Sequence, residues 1–91
     1  MRTLEAKIGG PNLELNLARS NSWSVHVSRP VSIVITNAYL GHQQDLYLLL
    51  RGENYVAWPD SVIFTATPPQ AKGRGTLIHL VSVDGKTWYE K

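Results

Sequence analysis

The sequence predicts an all-β protein, a compact antiparallel β-sandwich or jelly-roll-like domain of about eight short strands. Three observations predict it. Apolar residues recur with a period of two along most of the chain, turn residues interrupt them about every ten residues, and no window carries the 3.6-residue stripe of an amphipathic helix. Length bounds the answer: 91 residues are enough for a single domain over 1–91 with one thin core. Composition is that of a folded chain, with 43% hydrophobic and 18% charged residues, not that of a disordered tail.

The elements follow in order. Leu4, Ala6 and Ile8 alternate with Glu5 and Lys7, and Leu13, Leu15 and Leu17 alternate with Glu14 and Asn16. Trp23, Val25 and Val27 alternate with Ser24 and His26, and Val31, Ile33 and Ile35 continue the pattern past Pro30. Such alternation puts one set of side chains on a buried face and the other toward solvent. Leu46 to Leu50 is apolar at both parities, as expected of a central strand or one covered at an interface. Short strands are expected to start near residues 55 and 61. Pro59, having no amide hydrogen, should end the strand carrying Trp58 or lie on an edge. Thr65 to Gly75, with Pro68-Pro69 and Gly73-Arg74-Gly75, reads as one long exposed loop. From Thr76 to Val83, Leu77, His79, Val81 and Val83 share one face while Ile78, Leu80 and Ser82 share the other. Asp84-Gly85 is then expected to form a two-residue type I′ turn joining a strand that ends at Val83 to one that begins at Lys86. Asn37 to Gln44 is the best helical window, and it is too short and interrupted by Gly41.

Chemistry is sparse. The chain has no cysteine, hence no disulfide and no thiolate metal site. His26, His42 and His79 are isolated in sequence, with His42 within reach of Asp45 across a turn. No serine sits in a Gly-x-Ser-x-Gly elbow, the carboxylates are dispersed, and no metal-ligand spacing appears. The expectation is a non-enzyme without catalytic residues, metal or cofactor. A net charge of +2 and scattered basic residues give no nucleic-acid footprint. The longest apolar run is far short of the ~20 residues a membrane helix needs, and Met1 to Glu5 lacks the apolar stretch of a signal peptide. No membrane partner and no secretory export are therefore expected. Trp23, Tyr39, Tyr55, Trp58 and Tyr89 could include an exposed stacking platform for carbohydrate, against the plainer reading of aromatics capping a small β core.

The second half resembles a recurrent β module of bacteriophage virion proteins, of the tail-fibre and tail-tip type. The residues carrying that resemblance are Asp45 to Gly52, Tyr55-Val56-Ala57-Trp58-Pro59, Ser61 to Phe64, Pro68-Pro69, and Gly75 to Tyr89 with its Asp84-Gly85 and Trp88-Tyr89. The resemblance spans about residues 12 to 90, with the specific part in 45 to 89. It implies a homotrimer in a virion, made in the host cytoplasm, with partners such as the major capsid protein or a tail protein; the alternative is a tail-fibre or tail-tip component that binds host-surface carbohydrate through exposed aromatics. Fibres carry such a module behind a long attachment segment; this sequence begins at Met1 without one, which shifts the expectation toward a free-standing head decoration (cement) protein. Trp23, Tyr47, Leu49, Tyr55, Trp58, Trp88 and Tyr89 are the candidate interface residues.

Overall fold

A computed structural model describes residues 2–91. Among them are ten strands and no helix: β1 (Leu4–Glu5), β2 (Ile8–Gly9), β3 (Asn12–Asn16), β4 (Ser22–Val27), β5 (Val31–Thr36), β6 (Gln44–Gly52), β7 (Val56–Ala57), β8 (Val62–Ile63), β9 (Thr76–Ser82) and β10 (Trp88–Glu90). They form two sheets. Sheet A has the order β1-β4-β6-β9-β10-β8, and sheet B the order β2-β3-β5-β7. The alternation that predicted half-buried strands selects the inner faces. Leu13, Leu15, Val31, Ile33 and Val56 of sheet B face Trp23, Val25, Val27, Leu46, Leu48, Leu50, Ile78, Leu80 and Trp88 of sheet A, all buried. Each such side chain contributes about 1.5–3 kcal/mol of burial. The radius of gyration, 12.1 Å, matches the about 12 Å expected of a compact chain this long.

The sheets are mixed, which corrects the antiparallel expectation. β1–β4, β4–β6, β3–β5, β5–β7 and β8–β10 pair parallel, while β2–β3, β6–β9 and β9–β10 pair antiparallel. The reason is that the chain changes sheet at six of its nine connections. From β3 to β8 it alternates between B and A, so strands two apart in sequence become parallel neighbours. A parallel pair needs a long crossover, usually a helix; here strands of the facing sheet serve instead, except between β8 and β10, where the connection runs through β9 of the same sheet. The first alternating stretch is likewise split, β1 lying in sheet A and β2 in sheet B, with the crossing at Ala6, whose amide donates to Ser24 O at 2.7 Å.

Two loops also differ from expectation. Asp84-Gly85 does not form a two-residue turn, since residues 83–87 all lie outside strands. Positive φ is found at Gly85 (80°) but not at Asp84, whereas a type I′ turn needs it at both. Polar side chains hold the wider loop. Asp84 Oδ1 accepts the amides of Lys86 and Thr87 at 2.8 and 3.0 Å, and the buried Ser82 Oγ accepts the Gly85 amide at 2.8 Å. The 65–75 segment is not wholly exposed either. Ala71 is buried, and the Gln70 side chain accepts the Val56 amide at 2.7 Å and donates to Val56 O at 2.9 Å. Gln70 thus pairs with an edge strand, β7, in place of a neighbouring strand. Pro59 lies just past β7, as expected, with its carbonyl accepting the Val62 amide at 3.0 Å.

Candidate functional site

Parity and register together define what the outer face of sheet A carries. Glu5, Ser24, Leu49 and Leu77 form one row across β1, β4, β6 and β9. Ser22, Tyr47 and His79 form the next, and Asp45, Val81, Tyr89 and Ile63 the one after that, across β6, β9, β10 and β8. The face therefore divides in two. Its β1–β4 side is polar: Arg51 Nη2 lies 3.0 Å from both Glu5 carboxylate oxygens and 3.2 Å from Ser24 Oγ. Its β6–β8 side is apolar, with Leu77 76%, Val83 70%, Tyr89 50% and Ile63 44% exposed beside half-buried Leu49, Tyr47 and Val81. Three strand spacings of about 4.8 Å and a run from Leu77 to Val83 of about 20 Å give that side roughly 300 Å² of flat area. That footprint includes the polar Asp45–His79 pair, and apolar patches of a few hundred Å² are often functional surfaces.

A polar cluster sits within this apolar half. His79 Nε2 lies 2.9 Å from Asp45 Oδ1, on the diagonal between neighbouring strands, and the imidazole stacks on Tyr47 with centroids 4.3 Å apart and planes at 20°. Asp45 is thus taken by His79 rather than by His42, whose ring meets Tyr39 edge-on at 5.6 Å. The pairing spans 34 residues of sequence and left no local signal. Among the described residues no group of three His, Asp, Glu or Cys side chains could hold a metal.

Of the sequence-derived interface residues, Tyr47, Leu49 and Tyr89 share the outer face of sheet A. Trp23 and Trp88 do not belong to any surface: they are 3% and 2% exposed, which corrects their assignment as interface residues. Both sit at the inward parity of their strands, Trp23 with Val25 and Val27, and Trp88 opposite Tyr89. The Trp23 indole N–H donates to Ser20 O at 2.8 Å. Tyr55 and Trp58 lie elsewhere, in a groove of about 370 Å³ that they line with Val56, Thr67, Pro68 and Gln70. Trp58 is half-buried, its indole N–H donating to Pro69 O at 2.8 Å and its ring packed edge-on against Phe64 at 5.1 Å. Tyr55 is 65% exposed.

A second cleft, of about 290 Å³, is lined by Glu5, Lys7, Glu14, Asn16, Arg19 and Trp23. Its carboxylates are already engaged, Glu5 with Arg51 and Glu14 Oε2 with the Thr36 hydroxyl at 2.8 Å. Neither stands as a free acid or base. The residues missed by sequence reading are Leu77, Val83 and Ile63 on the apolar half, and Leu40 beyond its end beside Tyr39, which the sequence had offered as an exposed aromatic; their signal was an apolar side chain at the outward parity or in a turn. No family model, no curated protein and no solved structure matches this chain.

Proposed function

We propose that this chain is a non-enzymatic structural protein of a bacteriophage virion, a capsid decoration protein that docks on the head lattice. The observation that carries this reading is the apolar half of the outer face of sheet A, around Leu77, Tyr89, Ile63, Leu49 and Tyr47. The virion assignment rests on the resemblance of residues 45–89. Such a protein stabilises a shell by mass action, because it binds the assembled lattice and not the separate subunits. Central apolar and aromatic side chains supply the contact energy of an interface, and polar groups at its rim fix register. Here the Arg51–Glu5 pair and the Asp45–His79 pair are the polar groups beside the apolar half. A homotrimer is the assembly proposed for the free protein.

The second reading is a tail-fibre or tail-tip component that binds host-surface carbohydrate. What favours it is the groove at Tyr55 and Trp58, where an exposed aromatic ring stands over an apolar wall. Electron microscopy of the producing virus with this protein gold-tagged separates the two. Label on the head lattice is the expected result, label at the tail moves the assignment to the second reading, and particles without label overturn both.

A further inference from the structure

Asp84-Gly85 is the one step in this chain where glycine follows an aspartate or asparagine. In such a step the glycine nitrogen can attack the preceding carboxyl, because no Cβ on the second residue hinders ring closure. The Gly85 nitrogen would bond to Asp84 Cγ while the Cγ–OH bond breaks, and that hydroxyl would leave as water with the amide proton. Water then opens the resulting succinimide on either side of its nitrogen. Opening at the Asp84 main-chain carbonyl leaves isoaspartate, with the backbone running through Cβ and Cγ. No oxidant, metal or enzyme takes part.

The native loop opposes each requirement of that reaction. Its nucleophile is held, since Gly85 is buried and its amide donates to Ser82 Oγ at 2.8 Å. The same hydroxyl donates to Asp84 Oδ1 at 3.2 Å, so it bridges the attacking nitrogen and the carboxyl. The electrophile is tethered as well, with Oδ1 accepting the amides of Lys86 and Thr87 at 2.8 and 3.0 Å. Those two amides also hold the carboxyl in its ionised form, and a carboxylate has no hydroxyl to lose. Proton loss from Gly85 breaks the first of these bonds, and pulling Cγ onto the nitrogen strains the rest.

The product does not fit the loop. A Cβ at Gly85 would run into the Tyr39 carbonyl, so there is no room for a longer backbone at this point. The Asp84 carbonyl, which accepts the Gly41 amide at 2.7 Å, would become part of a free carboxylate.

We propose that Asp84-Gly85 is a site of spontaneous isoaspartate formation that the Ser82 hydroxyl and the folded loop hold shut, and that isomerised chains lose the lock between this loop and the Tyr39 turn. Modification then follows opening of the loop and turns a reversible opening into a permanent one.

Peptide mapping of the full chain tests it. Trypsin releases Gly75–Lys86, whose isoaspartate form keeps its mass and changes its chromatographic retention. At neutral pH, folded wild type is expected to isomerise at least about tenfold more slowly than wild type unfolded in guanidinium chloride. Ser82→Ala is expected to raise the folded rate severalfold and to leave the unfolded rate unchanged. Hydrogen exchange at the Ser32 amide, bonded to Pro11 O in sheet B, reports global opening in the same samples. Refolded isoaspartate chain is expected to lose exchange protection at Gly41 and to keep it at Ser32. Equal rates in folded and unfolded wild type overturn the proposal, as does an unfolded chain that stays unmodified. So does a Ser82→Ala rate that is unchanged, or that rises only as far as Ser32 exchange rises. Wild-type protection at Gly41 in the refolded isoaspartate chain overturns the lock.

Discussion

The two outer faces of this sandwich are built from the same alternation and finished differently. Sheet B turns Asn12, Glu14 and Asn16 of β3 and Ser32, Val34 and Thr36 of β5 to solvent, and cross-strand hydrogen bonds such as Thr36 to Glu14 tie that surface together. Val34, 38% exposed, and the small Ala57 in register with Ser32 are the apolar side chains there. Sheet A turns Tyr47, Leu49, Leu77, Val81, Tyr89 and Ile63 outward at the corresponding parity. Sheet B is finished for water, and half of sheet A is not. Nothing in the fold requires this difference, because the core between the sheets is closed on both sides by Leu13, Leu15 and Ile33 against Leu46, Leu48 and Leu50. The apolar outer half is therefore not required to close the core.

The sharpest way to break the comparison is to show that inner and outer residues of one strand weigh the same. On β6, Leu48 is fully buried and its neighbour Leu49 is half-buried on the outer face. Leu48→Ala is expected to cost about 2–5 kcal/mol by thermal or urea unfolding, through lost transfer energy and a cavity. Leu49→Ala in the isolated chain is expected to cost about 1 kcal/mol or less, for partial burial only. Equal losses would mean that the outer face is part of the folding core.

Next in size is the loop that joins β9 to β10 at the end of that face. Gly85 has a φ of 80°, and a Cβ there would run into the carbonyl of Tyr39. Gly85→Val is expected to cost about 2–4 kcal/mol, part from the backbone conformation and part from the collision. An unchanged melting curve would show that this loop and the Tyr39 turn are not locked together.

These two predictions also mark how much the sequence carried. Period-two spacing located every strand of four residues or more and separated Ile78, Leu80 and Ser82 from Leu77, His79 and Val81, but it did not say which set faces the core, and Leu46–Leu50, apolar at both parities, gave no inner face at all. Trp23 and Trp88 could have been assigned to the core by the same parity, but their size made them look like contact residues. Sheet membership was not legible. A hairpin and a crossing between sheets are both written as a few turn residues, such as Ser28-Arg29-Pro30, and periodicity does not say whether the next strand pairs beside the last or opposite it. Hence the parallel pairs went unforeseen, and with them the rows that bring Tyr89 and Ile63 beside β9. The Asp45–His79 pair and the Gln70–Val56 pair depend on that topology and were invisible for the same reason.

A smaller effect compares the faces directly. Leu77→Ser and Val34→Ser both alter exposed side chains, so each is expected to change the stability of the free chain by less than about 0.5 kcal/mol. If the proposed docking on a virion holds, only Leu77→Ser should reduce co-sedimentation of the protein with virus particles. Equal co-sedimentation of the two variants would remove the outer face of sheet A from the docking surface.

The smallest expected effect concerns acid and the loop that borders the apolar half. The amides of Lys86 and Thr87 both donate to Asp84, with a further bond from Ser82 Oγ, and they hold its carboxyl below the ordinary value. A group whose folded pKa is depressed stabilises the fold above its unfolded value, about 3.9 for Asp, and loses that contribution as pH falls through the lower folded value. Wild type should therefore exceed Asp84→Asn in melting temperature at neutral pH, with the gap narrowing below about pH 4. Asn can still accept a bond from the amides but carries no charge, so it separates the ionic part from the geometric one. Hydrogen exchange should localise the change. Lys86 and Thr87 lose protection as the carboxylate protonates, while the Ser32 amide in sheet B, bonded to Pro11 O at 2.9 Å, keeps its own. A gap that persists unchanged into strong acid would mean that charge plays no part in holding this loop, and that the end of sheet A is fixed by packing against the Tyr39 turn alone.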